Sequence, residues 1–142
     1  MTAVLHFYLV DVFADAPLTG NPLALVVDAG QIEEPVMRAL AHELNQSETT
    51  FMLPPTRPGA TRRLRSFTPS GSEVFGAGHN ALGAWWWLAT AGRLELGEGH
   101  SRFAQEIGDR VLPVEVIAED GHPQHRDGAG ATRVRAPSGG AG

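Results

Sequence analysis

The run HNALGAWWWLATA, residues 79–91, constrains the fold most strongly, because it has helical length and is apolar nearly all the way round. Its three consecutive tryptophans, Trp85, Trp86 and Trp87, lie about 100° apart on a helix and cover most of the circumference. Such a helix has to be buried on all sides. In a small domain a curved sheet wrapped around the helix achieves this, and we expect all three tryptophans in its core.

The remaining apolar segments predict the strands of that sheet. The segments 3–13 and 23–28 are rich in β-formers and are separated by a loop with two prolines, so we expect them to pair antiparallel. Further strands are predicted in SETTFML (47–53) and TRRLRSFTP (61–69). RVLPVEVIAE, residues 110–119, is also read as a strand, at the edge of the sheet because of Pro113.

A second helix is predicted in EEPVMRALAHEL, residues 33–44, with Pro35 in its first turn and Asn45 as its stop. Its apolar face is expected to comprise Val36, Met37, Leu40, Ala41 and Leu44. From Gly121 onward the chain is dominated by Gly, Ala, Pro, Arg and His. We therefore predict a folded domain over residues 1–120 and a low-complexity, disordered tail over residues 121–142.

Composition removes several kinds of chemistry. The 142 residues contain no cysteine and, among eleven basic residues, no lysine, which excludes disulfides, thiolate zinc sites, cysteine nucleophiles and a Schiff-base lysine. The net charge of -5 argues against nucleic acid as a partner. With no secretory signal pattern and no apolar run long enough for a bilayer, we expect a cytoplasmic protein without membrane contact.

The segment GAGHNALG, residues 76–83, has two interpretations that the residues alone leave open. A dinucleotide fingerprint is not favoured, because Ala81 replaces the third glycine and no strand directly precedes the segment. In the functional interpretation, Gly76 and Gly78 let a ligand approach, and the helix start, with His79 and Asn80, binds a carboxylate. Otherwise the glycines make a tight turn and His79 caps or packs.

Acidic residues give weaker signals by themselves. The period of two in the third strand places Glu48 on one side together with Thr50 and Met52. A carboxylate in a dry pocket has a raised pKa and can serve as general base and acid, but charged strand residues usually face solvent, and the residues alone favour the solvent-facing interpretation. Glu73 is likewise interpreted as a surface acid that follows a turn.

Three segments together carry a resemblance to a known family: DVFADAPLTGNPLALVVD, MRALAHELNQSETTFML and LRSFTPSGSEVFGAGHNALGAWWWLA. In order, spacing and their G-N-P, S-E-T-x-F and F-T-P…G-H elements they resemble the N-terminal half of the phenazine-biosynthesis isomerase family (PhzF-like), a branch of the diaminopimelate epimerase-like superfamily. The likeness covers residues 5–118. It implies an α+β domain, one of the usual two, with a curved, mostly antiparallel sheet around a central buried helix.

The resemblance also implies an activity. Family members are isomerases without metal or organic cofactor that act on a small carboxylic-acid substrate held between two domains. The glutamate of the S-E-T motif, here Glu48, shuttles a proton between substrate carbons, and Gly78 and His79, with Asn80 beside them, contact the substrate. Ala77 stands where the epimerase branch has a cysteine, so a two-thiol racemase is excluded.

Family members are about twice as long as this chain, and that difference leaves three interpretations. The chain is one half of an isomerase, completed in a homodimer or by a separately encoded C-terminal half, and then exposes an apolar cleft face. Alternatively it is a non-catalytic carboxylate-binding module, or an inactive truncated gene product. In each case the isolated chain is expected to be inactive or nearly so as an isomerase.

Overall fold

A computed structural model describes residues 5–12, 21–30, 32–76, 78–97, 99–118 and 132–135, with only the backbone described at residues 11, 12, 21, 79, 118 and 132–135. These residues form eight strands and two helices. In chain order the elements are β1 (His6–Val12), β2 (Asn21–Val27), α1 (Glu34–Leu44), β3 (Glu48–Leu53), β4 (Arg62–Phe67), β5 (Glu73–Val74), α2 (His79–Thr90), β6 (Gly99–Ile107), β7 (Arg110–Ala118) and β8 (Thr132–Arg135).

All eight strands belong to one sheet. Its order is β1-β2-β3-β4-β6-β7-β8, with β5 paired to β4. The β2/β3 and β4/β6 pairs are parallel and the others antiparallel, including the predicted β1/β2 pair. Helix α2 contacts β1 and β8, at opposite ends of this order, as well as β2, β3 and β7. The sheet therefore curves around α2, and the α+β fold with a central helix is confirmed.

Helix α1 packs on the other face of the sheet, against β3 and β4. The two helices divide the core into two layers, and alternate strand residues contribute to one or the other. Met52 and Leu64 belong to the α2 layer with Trp85, whereas Phe51 and Phe67 belong to the α1 layer. Strand β3 lies between both helices, which explains why all six of its residues are buried.

The predicted α1 is confirmed, with Pro35 in its first turn and Asn45 at its end in the left-handed conformation, φ 51°. Met37 and Ala41 are buried, and Leu40 and Leu44 pack against the same cluster. Val36 is exposed, and its prediction as a core residue was wrong. Successive residues of a helix lie about 100° apart, and Val36 lies at the margin of the stripe that reaches β3 and β4.

The three tryptophans have different environments. Trp85 is fully buried, and Trp87 is half-buried with its ring 4.8 Å from that of Tyr8 in β1. Trp86 is 44% exposed, so the prediction that all three lie in the core was wrong. The physical reason is that the described strands cover α2 on the sides facing the sheet. These strands leave one side of the helix uncovered, and Trp86 projects there.

Strand β7 is an edge along only part of its length. Pro113 lies opposite Ala104 of β6, whose backbone N–H and carbonyl bond with Thr61 on the other side at 3.1 and 2.7 Å. A missing N–H at Pro113 therefore costs no β6/β7 hydrogen bond. Beyond it, Glu115–Ala118 pairs with β8, so this part is not an edge.

Strand β8 consists of four residues from the segment predicted to be a disordered tail. At Thr132–Arg135 that expectation was wrong, because the backbone of β7 offers these residues a ladder of hydrogen bonds that their composition does not reveal. Residues 119–131 and 136–142 lie outside the described residues. The division into a domain at 1–120 and a tail at 121–142 otherwise remains a prediction.

Candidate functional site

Glu48 is the first residue of β3 and lies on the face of the sheet that packs against α2. It shares that face with Thr50 and with Met52, which is part of the α2 core layer. Only 9% of Glu48 is exposed, and Leu23 of β2, which is fully buried, lies opposite it in the parallel pair. The solvent-facing interpretation that the residues alone favoured was therefore wrong.

Next to Glu48 on this face, three buried polar side chains form a continuous chain from the sheet to α2. The hydroxyl oxygens of Thr50 in β3 and Ser66 in β4 are 2.7 Å apart. The amide nitrogen of Asn80 in α2 donates to Ser66 Oγ at 3.0 Å. Because all three residues are buried, this chain fixes the start of α2 against the strand that carries Glu48.

The same Asn80 side chain holds the loop that leads into α2. Its Nδ2 also donates to the carbonyl of Gly76 at 3.1 Å, and its Oδ1 accepts from the backbone N–H of Gly78 at 2.9 Å. Both amide hydrogens are thus used within the protein. A single lone pair of Oδ1 is left for any further contact.

The start of α2 offers backbone N–H groups at the loop. The N–H groups of Ala81 and Leu82 bond to the carbonyl of Gly78 at 3.1 and 3.2 Å. Those of His79 and Asn80 precede them, where an α-helix leaves N–H groups without intrahelical acceptors. His79 begins α2 as predicted, but its side chain lies outside the described residues.

The two glycines of the loop are not explained by a crowded or left-handed backbone. Gly78 has φ -98°, and a Cβ placed there would come no closer than 4.0 Å to the nearest described side-chain atom, Asn80 Oδ1. A Cβ on Gly76 would meet no described atom within 4 Å. Within the described part of the chain nothing fills the space in front of either glycine, which favours the ligand-approach interpretation over the tight-turn interpretation.

Glu73 lies away from this site, but only 13% of its side chain is exposed, so its interpretation as a surface acid was wrong. It is paired with Phe67 in the β4/β5 ladder and faces α1. There Arg65 donates to both of its carboxylate oxygens at 2.6 and 3.0 Å, and to Glu34 at 2.5 Å. The pKa of Arg65 is raised above its usual value, chiefly by the hydrogen bond with Glu73. Burial by itself would lower this pKa, and the hydrogen bond with Glu34 raises it.

A cavity of about 940 Å³ lies at the opposite end of α2. Val27, Met52, Pro54, Trp87, Leu88 and Arg93 are among the residues that line it. Glu48, Asn80 and Gly78 do not line it, so it is separate from the candidate site.

Two further properties bear on possible ligands. Within the described ranges, no three His, Cys, Asp or Glu side chains come together in a way that could hold a metal ion. Neither of the two helices described here is long and apolar enough to cross a membrane. That the reaction needs no cofactor remains a prediction.

Sequence reasoning had named Glu48, Gly78, His79 and Asn80 but missed Thr50 and Ser66. Hydroxyl residues are common in strands, and nothing in the local pattern distinguishes these two. The available signal was their phase, because Thr50 shares the side of Glu48 and Ser66 lies two residues from Leu64 on an apolar face. The phase of these two residues indicates a contact with α2 only when the structure shows that α2 covers this face.

The chain is similar in sequence to a family of proteins and to several isomerases. The family model described as "phenazine biosynthesis-like protein" matches residues 10–135. The trans-2,3-dihydro-3-hydroxyanthranilate isomerase of Pseudomonas chlororaphis is 44% identical over 78 residues, which are 55% of this chain and 27% of that protein. An uncharacterized isomerase of Clostridium acetobutylicum is 34% identical over 115 residues, 81% of this chain and 36% of that one.

Solved structures agree with the sequence comparisons. The crystal structure of a Bacillus anthracis phenazine biosynthesis protein of the PhzF family superimposes with a TM-score of 0.69 at 30% identity, covering 80% of this chain and 36% of that protein. The matched part therefore spans about a third of the length of these relatives.

Proposed function

This chain belongs to the phenazine biosynthesis-like family, and from that membership we propose that it supplies one wall of the active site of a cofactor-independent isomerase. In this proposal Glu48 moves a proton between two carbons of a small carboxylic acid. Gly78, His79 and Asn80, at the start of α2, form the part of the site that receives the substrate. The protein acts in the cytoplasm, in secondary-metabolite biosynthesis.

The placement of Glu48 is the observation that carries the proposal. A carboxylate that is 9% exposed and faces the helix is uncommon in a strand, and this placement is the one that the proposed role of Glu48 requires. The polar chain begins at Thr50, two residues from Glu48 on the same face, and ends at Gly76 and Gly78. A buried carboxylate and the N–H groups of His79 and Asn80 therefore belong to one end of the domain.

The proton transfer itself requires one group of this chain, the Glu48 carboxylate. The Glu48 carboxylate removes a proton from one carbon, the electron pair shifts through the conjugated system, and the protonated Glu48 returns the proton to a second carbon. Negative charge builds up on the substrate in between. Backbone N–H groups at the helix start stabilise that charge, which is how preorganised donors lower a barrier.

A second polypeptide segment completes the site in this proposal. The chain matches about a third of the length of its relatives, and the exposed Trp86 lies on the side of α2 that the described strands leave open. A second copy of the chain or a separately encoded C-terminal half would cover that side. The isolated chain is expected to bind carboxylates without turnover.

The test compares the chain alone with the chain co-expressed with each candidate partner, a second tagged copy or a C-terminal-half homologue encoded nearby. Trans-2,3-dihydro-3-hydroxyanthranilate in deuterium oxide serves as substrate, and isomerisation is followed together with deuterium in the product. We expect turnover only in a complex. Glu48→Gln should abolish it, and Glu73→Gln, on the opposite face of the sheet, should retain it.

Retention of turnover by Glu48→Gln would overturn the role of Glu48. If no complex with either partner turns over this acid or a related dienyl acid, the isomerase proposal fails. Carboxylate binding by the isolated chain then supports the alternative of a non-catalytic carboxylate-binding module, and absence of binding supports an inactive gene product.

A further inference from the structure

Asn80, Ser66 and Thr50 have a role that neither the family nor the sequence motifs assign. We propose that they are positioning residues, which hold the loop at Gly76 and Gly78 and the first turn of α2 at a fixed distance from Glu48. The inference rests on the proposed function for its purpose. Its physical content, an ordered loop that depends on three side chains, stands without it.

The bonding pattern of Asn80 is specific for an amide. One side-chain group donates to Ser66 Oγ and to the Gly76 carbonyl, and its oxygen accepts from the Gly78 N–H. Asparagine has two donor hydrogens and a carbonyl oxygen on one planar group, which this set requires. Aspartate has the same shape and keeps the acceptor for Gly78, but it cannot donate, so the Gly76 carbonyl would lose its donor, whereas alanine would lose all three bonds.

Ser66 and Thr50 extend this anchor into the sheet. Ser66 Oγ accepts from Asn80 and is 2.7 Å from Thr50 Oγ1, and all three residues are buried. Thr50 is in turn two residues from Glu48 on one face of β3. A shift of the α2 start relative to β3 would break at least one of these bonds, so they fix the geometry between the carboxylate and the helix N–H groups.

The neighbouring Thr49 supplies a matched control. It is also fully buried in β3 but faces α1, and its hydroxyl has no hydrogen-bond partner among the described residues. Thr49→Val and Thr50→Val make the same chemical change one residue apart. Only Thr50→Val removes a hydrogen bond that connects the sheet with Asn80.

The test measures backbone amide exchange of Gly78 by NMR in the full chain without ligand. We expect Asn80→Ala and Ser66→Ala to accelerate exchange of the Gly78 N–H about tenfold, because the first removes its acceptor and the second removes a bond that holds that acceptor in place. Thr50→Val should accelerate it by a smaller factor of about three. Thr49→Val should leave the rate unchanged.

Thr50→Ser separates positioning from packing. It keeps the hydroxyl but removes a buried methyl group, so it should lower the denaturation midpoint while the Gly78 exchange rate stays at the wild-type value. Thr50→Val should do the reverse. Equal exchange rates in wild type, Asn80→Ala and Ser66→Ala would overturn the inference, as would acceleration by Thr50→Ser equal to that by Thr50→Val.

A second measurement connects the loop to the ligand. Anthranilate, a stable aromatic carboxylate, is titrated while the amide shifts of Gly78 and His79 are recorded. We expect at least fivefold weaker binding in Asn80→Ala and Ser66→Ala and unchanged binding in Thr49→Val. If anthranilate does not bind the wild-type chain, the carboxylate part of the proposed function fails, whereas the exchange data still decide the positioning role.

Discussion

The indole nitrogen of Trp85 donates a hydrogen bond to Gln105 Oε1 at 3.0 Å, entirely inside the core between α2 and β6. The Trp85 ring also stacks on Phe103 of β6, with ring centroids 5.6 Å apart. Gln105 is one of few buried polar side chains on this face, and the indole N–H supplies a donor for its side-chain oxygen. Trp85 therefore anchors the helix through a polar contact as well as through its volume.

Replacing Trp85 should destabilise the fold far more than replacing its neighbour. Trp85→Phe removes a buried donor from Gln105 and leaves a small void, so we expect the free energy of unfolding to fall by about 2–3 kcal/mol. The matched control is Trp86→Phe, at a half-exposed position, with an expected change within about 0.5 kcal/mol. Urea denaturation followed by circular dichroism measures both, and equal losses would contradict the assignment.

Glu106 should make stability depend on pH in the acid range. Burial by itself would raise the pKa of its carboxyl, but bonds from the Thr56 hydroxyl, from the N–H groups of Thr56 and Arg57 at 2.7 and 3.0 Å, and the charge of Arg63 hold the pKa below its usual value. A lowered folded-state pKa contributes stability that is complete above the unfolded-state value of about 4.3. That contribution is lost as the pH falls below it.

The variant Glu106→Gln should therefore flatten the acid side of the stability curve. At neutral pH we expect it to lose about 1–3 kcal/mol, because its NH2 group faces the donors of Thr56 and Arg57. Glu43→Gln, on the exposed side of α1, is the control and should preserve the wild-type pH dependence. Denaturant titrations between pH 3 and 7 measure the free energy of unfolding of both variants. If this free energy falls with pH as steeply in Glu106→Gln as in wild type, the prediction is refuted.

Arg65 should contribute more to stability than Arg38, although both guanidinium groups lie over the Phe67 ring, 5.3 and 5.1 Å from its centre. The Arg65 side chain is 15% exposed and binds Glu73 through two bonds, whereas that of Arg38 is 41% exposed and pairs with Glu34. We expect Arg65→Met to cost about 2 kcal/mol, because it leaves Glu73 buried without its partner.

Arg38→Met provides the comparison and should cost about 1 kcal/mol or less, since exposed ion pairs are screened by water. Arg65→Lys should fall between the two, because a lysine keeps the charge but not the two-pronged geometry. Thermal unfolding at low and high salt distinguishes these cases. A larger loss in Arg38→Met than in Arg65→Met would contradict the prediction.

Substitutions of Asn45 test how far the left-handed conformation at the end of α1 limits stability. Its left-handed conformation, φ 51°, disfavours residues with a Cβ other than asparagine and aspartate. Asn45→Ala should cost about 1 kcal/mol, and Asn45→Gly should be within about 0.5 kcal/mol of wild type. The denaturation midpoints of the two variants are compared directly, and a glycine variant less stable than the alanine variant would show that another contact of Asn45 dominates.

The sequence alone determined most of the elements and much of the family, but it did not predict β5, β6 and β8. Periodicity and turn residues predicted α1, α2 and the strands from β1 to β4, because these signals are local and repeat every two or 3.6 residues. The all-round apolar character of α2 predicted a sheet curved around it. The S-E-T-x-F and G-H elements selected Glu48, Gly78 and His79 through resemblance, and the absence of cysteine and lysine excluded whole classes of chemistry.

Only the tertiary structure decided which sides of these elements are covered. Three adjacent tryptophans look equivalent in sequence, yet Trp85 is in the core and Trp86 is half exposed, because the sheet covers one side of α2 and not the other. Glu48 looked like a surface acid until β3 was found between two helices. The Thr50–Ser66–Asn80 chain joins residues 14 and 16 positions apart, and no local pattern reports contacts between strands and a helix that pack only in the folded chain.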